Sequence, residues 1–241
     1  MGKAGGMVDT VLAPAKLTLS LRVTGVREDG YHLIDSEMVA LDLADKLEFS
    51  EGDGLEVVGN GAVPVDEDNL VIRALRVTGR TARVRLHKNI PVGGGLGGGS
   101  ADAAAVLRWA GVTDLSLAAT LGADVPFCLV GGRAKVTGIG EVVEPLAFEH
   151  REFTLLTPPF GVSTPAVYRA WDDLGGPRAD GPNDLEPAAV AVEPRLGEWR
   201  DRLGDLTGAT PVLAGSGATW FVEGTFDGPG LMHARTQPVA S

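Results

Sequence analysis

Residues 91–105 read PVGGGLGGGSADAAA, and six of the seven residues from Gly93 to Gly99 are glycine. Glycine has no Cβ, so it takes up positive φ without strain and lets backbone N–H groups come close to a ligand. The alanine-rich run that follows reads as a helix from about Ser100 to Ala110. Such a helix points its unpaired N–H groups and the positive end of its dipole back at the loop. Loop and helix start together form a cradle for an anion, phosphate above all. Two better-known loops fit less well. A Walker A motif needs Lys after its glycines, and none stands here. Gly93–Gly98 matches GxGxxG, but in a run of glycines that match is nearly automatic, and no strand-ending acid follows at the distance a dinucleotide fold wants.

The flanks also argue against a flexible linker. ARVRLHKNI (82–90) alternates as a strand does, so the loop is wedged between a strand and a helix. Residues 8–50 are β-rich, with an Asp-Gly turn signal in REDGYH. LEVVG (55–59) is a short strand, and NLVIRALRVTG after the DEDN cluster has helical spacing. LSLAATLGADVPF reads as a short helix ending in a loop, and RAKVTGIGEVVEPLA as a strand pair. FTLLTPPF is an apolar strand stopped by two prolines. PAVYRAWDDLG and PRLGEWRDRLGDL are helical, and TPVLAGSGATWFVEG is strand, Gly-Ser-Gly turn, strand. The tail after Gly224 has no strong pattern. A change of pattern near residue 150 suggests two α+β lobes, 1–150 and 151–241, with a cleft between them.

The chain has 241 residues, 44% of them hydrophobic, which is ample for a buried core. A net charge of −11 speaks against nucleic-acid binding, which needs a basic face. The single cysteine, Cys128, excludes an internal disulfide and suits a reducing cytoplasm; in DVPFCLV it reads as a buried, inert thiol. The first ten residues, MGKAGGMVDT, hold no apolar core of signal-peptide length, and no stretch is long and apolar enough to span a membrane. No His, Cys and Asp grouping has metal-ligand spacing, so no structural zinc is expected.

The 91–105 stretch resembles the phosphate-binding motif of the GHMP kinases. APAKLTLSLRVTGVREDGYHLIDSEM, LGADVPFCLVGGRAKVTGIGE, FGVSTPAVYRAW and AGSGAT, in that order from residue 13 to about 219, are similar to motifs of those members that act on 4-diphosphocytidyl-2-C-methyl-D-erythritol. The resemblance implies a two-lobed α+β fold, with an N-terminal lobe like ribosomal S5 domain 2 and a ferredoxin-like C-terminal lobe. It implies ATP and Mg²⁺ as cofactors and a small-molecule substrate carrying a cytidine diphosphate group. Asp124 would be the catalytic base, with Lys16 beside it polarising the attacking hydroxyl. Asn69, Pro91, Gly93, Gly94, Gly95, Leu96, Gly97, Gly98, Gly99, Ser100 and Ala101 would hold the nucleotide. Tyr31 and Tyr168, the only tyrosines, would sandwich the cytosine ring, and His32 would bond its edge. Thr18, Thr164, Gly215 and Ser216 would touch the rest of the substrate.

The chain departs from the family pattern at Thr18, where Asn is usual, and its helices between Asn69 and Arg83 and between Ala110 and Leu121 are trimmed. Two other readings compete. One is a GHMP kinase for a homoserine- or mevalonate-like alcohol, the other a non-catalytic nucleotide-binding module. His87, on a strand, borders the same region, while His150 and His233 read as surface. Asn69 by residue type alone is a helix cap.

Overall fold

A computed structural model of the chain describes residues 8–59 and 63–239. Residues 1–7, most of the stretch read above for a signal segment, lie outside the described residues, as do both extreme ends of the two expected lobes.

Two long strands, β1 (Asp9–Val26) and β2 (His32–Ser50), form an antiparallel hairpin around the Asp29-Gly30 turn. Their alternation puts Leu17, Leu19, Leu21 and Val23 on the buried face. The register breaks between Pro14 and Lys16, and there the Lys16 amide bonds the Leu96 carbonyl at 3.0 Å instead of β2. A ladder irregularity of this kind re-aims a side chain next to a site. β3 (Gly54–Gly59), β4 (Arg83–Lys88), β5 (Arg133–Gly138) and β6 (Val142–Pro145) complete the first sheet in the order β3-β4-β2-β5-β6. Its helices are α1 (Leu70–Val77), α2 (Gly98–Trp109), α3 (Leu115–Leu121) and α4 (Val125–Val130). α2 packs against β1, α1 and α4, and its Ala101, Ala103, Ala104 and Ala105 are fully buried. Alanine at the contact lets these elements approach closely.

The second sheet is antiparallel, in the order β10-β7-β9-β8. It comprises β7 (Glu152–Leu156), β8 (Val212–Leu213), β9 (Trp220–Glu223) and β10 (Met232–Arg235). It carries α5 (Thr164–Asp173), α6 (Glu186–Val192) and α7 (Arg195–Thr207). The architecture is α+β with two sheets, as the sequence implies. Three elements differ from the reading. VPF does not end a loop but begins α4, with Pro126 in its first turn. The tail after Gly224 contains a strand, because β10 pairs with the edge of β7. Between α5 and α7 lies α6, started by Glu186-Pro187 and buried through Ala188 and Ala189.

Candidate active site

The glycine stretch and the catalytic-type residues open onto one cavity of about 1000 Å³. The loop is held from both sheets. The Thr219 amide donates to the Gly94 carbonyl at 3.0 Å, Lys16 N–H bonds Leu96, and the Leu96 side chain is a buried peg. Gly95 and Gly97 have φ of 75° and 70°, the left-handed region that favours glycine. A Cβ on Gly97 would run into the Lys16 side chain at 2.6 Å, and one on Gly95 would meet the 214–217 backbone. α2 starts two residues earlier than its composition suggests, at Gly98, with Gly97 as its cap. Its first capping bond runs from Ala101 N–H to the Gly97 carbonyl at 2.8 Å. The amides of Gly98, Gly99 and Ser100 precede it and so have no intrahelical partner. All three residues line the cavity, as do Pro91, Gly93, Gly94, Gly95, Leu96 and Gly97. Ala101 does not; it is fully buried in the contact of α2 with its neighbours.

Lys16 and Asp124 meet at the cavity wall. Lys16 Nζ lies 3.3 Å from Asp124 Oδ2 and donates to Thr18 Oγ1 at 3.0 Å. Lys16 and Thr18 are buried, whereas the Asp124 side chain is about a third exposed. Asp124 stands at the N-cap position of α4 but makes no capping hydrogen bond. A turn or cap aspartate would spend its carboxylate locally, so the bland reading of Asp124 fails on that point. Asn69 gives the opposite result. Its Oδ1 accepts from Val71 N–H at 2.8 Å and its Nδ2 donates to the Pro64 carbonyl at 2.6 Å. Asn69 lines the cavity as a helix cap whose side-chain amide is already engaged.

On the same cavity, Thr164 and Ser216 share a hydroxyl–hydroxyl hydrogen bond of 2.7 Å, and Gly215 beside them approaches Lys16 and Thr18, its would-be Cβ 3.5 Å from Lys16 Nζ. Tyr168 and His32 pack ring on ring, centroids 4.6 Å apart and planes tilted by 34°. Burial, with the Asp124 charge adding to it, raises the Tyr168 pKa above the usual phenol value, so Tyr168 acts here as a neutral ring. Tyr31 lines the same cavity but is 59% exposed at its rim. The structure thus packs Tyr168 on His32 and sets Tyr31, the chain neighbour of His32, at the rim of the same cavity. His87 pairs with Glu48 on the strand surface and does not line the cavity. Cys128 is buried in α4, and burial pushes its thiol up to about 12, so it is inert at neutral pH.

Residues 69–132, which hold the loop, α2 and Asp124, match the GHMP kinases N terminal domain. Over 231 residues the chain is 41% identical to the 4-diphosphocytidyl-2-C-methyl-D-erythritol kinase of Paracoccus denitrificans, spanning 87% of this chain and 84% of the relative. The chain belongs to this kinase family. The namesake enzyme of Pelotomaculum thermopropionicum is 40% identical over 256 residues, with 89% and 88% of the two chains covered. A crystal structure of 4-(cytidine 5'-diphospho)-2C-methyl-D-erythritol kinase superposes with a TM-score of 0.73 at 38% identity, covering 88% of this chain and 89% of that one. A homoserine kinase from Cytophaga hutchinsonii, at TM-score 0.60 and 18% identity over 94% and 87% of the chains, shares the fold alone.

This member of the diphosphocytidyl-methylerythritol kinase family also holds a buried charge cluster under its glycine loop that the sequence reading missed. Lys88 Nζ donates to Asp102 Oδ2 at 2.8 Å and to Asp45 Oδ2. Asp45 Oδ1 accepts from the Asn89 and Ile90 amides at 2.6 and 2.8 Å, pinning the chain as it enters the loop. The three side chains are at most 4% exposed. Burial works against the Lys88 charge, but the two carboxylates outweigh it and raise its pKa. Burial pushes Asp102 up to about 7 against the pull of Lys88, with the Asp45 charge adding to the rise. One signal was available: Lys88 falls on the same strand face as buried Val84 and Leu86, where a lysine must have partners.

Proposed function

We propose that this kinase moves the γ-phosphoryl group of ATP onto the 2-hydroxyl of 4-diphosphocytidyl-2-C-methyl-D-erythritol. The observation that carries the reading is the Lys16–Asp124 pair, 3.3 Å apart and open to the same cavity as the unpaired amides of Gly98, Gly99 and Ser100. The amides and the α2 dipole receive the phosphate oxygens and stabilise the negative charge of the transition state. Asp124 takes the hydroxyl proton as the alcohol oxygen bonds to the γ-phosphorus. The bond from that phosphorus to the bridging oxygen breaks, and ADP leaves with the electron pair. Lys16 polarises the hydroxyl, and Thr18, its hydrogen-bond partner, keeps Nζ in place despite standing where the family has Asn. A non-catalytic binding module has no use for this pair.

The site suits a magnesium ion as well. The Ser100 hydroxyl lies at the cavity beside the free amides and makes no hydrogen bond among the described residues. It would hold Mg²⁺ together with the phosphate oxygens, and the bound ion neutralises charge on them. Tyr31, His32, Tyr168, Thr164, Gly215 and Ser216 form the substrate end, with room for a cytidine diphosphate group. The same reading takes residues 1–150 as the nucleotide lobe and 151–241 as the second lobe; what supports the division is that β1–β6 form one sheet and β7–β10 the other. It sets the reaction in the cytoplasm, supported by a lone buried thiol and by the lack of a membrane-length apolar helix among the described residues.

The test is ADP release with Mg·ATP and three acceptors: the cytidyl substrate, homoserine and mevalonate. Turnover on the cytidyl substrate alone is expected. Turnover on either of the others, with none on the cytidyl substrate, would refute the substrate and leave the phosphoryl-transfer chemistry standing.

A further inference from the structure

Asp172 lies just beyond the FGVSTPAVYRAW stretch, yet it holds one of the cavity's ligand-type side chains. His32 begins β2 and Asp172 lies in the last turn of α5, 140 positions later, and His32 Nε2 sits 2.8 Å from Asp172 Oδ1. Tyr168, Trp171 and Asp172 stand at i, i+3 and i+4, so they share one face of α5 and meet the same imidazole. Tyr168 packs on the ring, and Trp171 meets it edge-on with centroids 5.6 Å apart. Trp171 is fixed in turn by a 2.9 Å bond from its Nε1 to the Pro177 carbonyl. The His32 side chain is 9% exposed, so this is a ring locked on two sides and at one nitrogen.

A carboxylate only accepts hydrogen bonds, so the nitrogen facing Asp172 is the one that carries hydrogen. In the neutral imidazole, Nδ1 then carries a lone pair. Among the described residues Nδ1 makes no hydrogen bond, and His32, Tyr168 and Asp172 all line the cavity. Nδ1 is therefore the polar side-chain atom that His32 can offer a ligand, and it is an acceptor. A cytosine ring presents an amino donor at its 4-position, where uracil presents an oxygen acceptor. We infer that Asp172 is a positioning residue that locks the His32 tautomer and thereby makes the pocket select an amino-bearing pyrimidine over its oxo counterpart. The inference rests on the proposed function, since it presumes a pyrimidine at this end of the cavity.

Asp172→Asn is the discriminating variant. Its amide can donate to Nε2 as readily as accept from it, so the tautomer is no longer fixed. Asp172→Glu keeps an acceptor-only group and serves as the conservative control. Two readouts apply, both at about pH 8, where an ordinary histidine is neutral. Imidazole nitrogen NMR on the free enzyme, with the His32 signals assigned by their loss in His32→Gln, reports the tautomer without any substrate. Steady-state kinetics on the cytidyl substrate and its uridyl analogue report selection, with the KM for ATP as a control expected to stay within about two-fold.

The expected result is an Nε2–H tautomer in the wild type and a mixture in Asp172→Asn. The wild type should prefer the cytidyl substrate by roughly ten-fold or more in kcat/KM, the scale of one unsatisfied buried polar contact. Asp172→Asn should lower that ratio to within about three-fold, and Asp172→Glu should retain most of it. An Nδ1–H tautomer in the wild type, or an unchanged ratio in Asp172→Asn, overturns the inference while leaving the proposed function intact. A wild type that turns over neither pyrimidine substrate overturns the proposed function and the selection with it.

Discussion

Alanine at Gly95 puts the packing of the phosphate loop to a quantitative test. Gly95 has φ of 75°, and a Cβ there would lie 2.8 Å from the Gly217 carbonyl carbon and 2.9 Å from the Ala214 oxygen, with the Gly217 oxygen closer still. All three atoms are backbone, so no side chain can swing away. The left-handed conformation costs a residue with a Cβ about 1–2 kcal/mol. Forcing extra volume into a packed contact adds about 1–3 kcal/mol. Gly95→Ala should therefore lose about 2–5 kcal/mol of stability. Gly99, four residues on, is the internal control. It sits in the first turn of α2, and its Cβ would meet only the Leu70 side chain at 3.6 Å, ordinary contact. Gly99→Ala should hold or raise stability by up to about 1 kcal/mol, since alanine is the better helix former. Because Gly99 lines the cavity, any penalty there should appear in the KM for ATP. Urea unfolding with the m-value checked for constancy gives the first quantity, and initial rates give the second. If Gly95→Ala unfolds at the wild-type urea concentration, or if Gly99→Ala is the less stable of the two, the reasoning is wrong.

The other predictions concern the charged groups. Lys88→Met leaves Asp45 and Asp102 buried without their cation and should cost about 3–5 kcal/mol at neutral pH; a urea midpoint matching the wild type would show that the cluster is not load-sharing. Asp102 has its pKa pushed up from 3.8 to about 7, so between those values the folded chain holds a proton that the unfolded chain has released. Its contribution to stability is thus fullest at about pH 4 and is lost as pH rises through about 7. Asp102→Asn should flatten that part of the stability profile, read as urea midpoints across the range, and a slope identical to wild type would exclude the assignment. Asp124→Asn should lower kcat by about 10²- to 10⁴-fold, the usual contribution of a positioned base, while calorimetry shows ATP still binding. Near-normal turnover in that variant removes Asp124 from the mechanism.

Much of this was legible in the chain because the decisive features are local. A run of glycines before an alanine-rich helix admits few structures, and long β1 and β2 announce themselves by alternation. What escaped the sequence is what depends on contacts far apart. α4 has six residues, too few for a helical period to show against an apolar run, and β10 exists because β7 offers it an edge. The start of α2 was read two residues late because glycine is a poor helix former, whereas here glycine is what the crowding by Lys88 and Ile90 at Gly98 permits. Asp45, Lys88 and Asp102 belong to three elements, and only the fold makes them one cluster. The bond between Asp172 and His32 spans 140 positions and joins α5 to β2. The contact of His32 with the Tyr168 ring likewise joins β2 to α5 and is not written in either segment alone.

The central claim is that Asp124, Lys16 and the glycine loop together transfer a phosphoryl group to an alcohol. Phosphorus NMR of the wild-type enzyme incubated with Mg·ATP and the cytidyl substrate tests it most directly. The account predicts equal appearance of ADP and one new phosphomonoester signal beside the intact diphosphate, and neither in Asp124→Asn on the same timescale. ADP accompanied only by inorganic phosphate, or no change in the ATP signals at all, would contradict it.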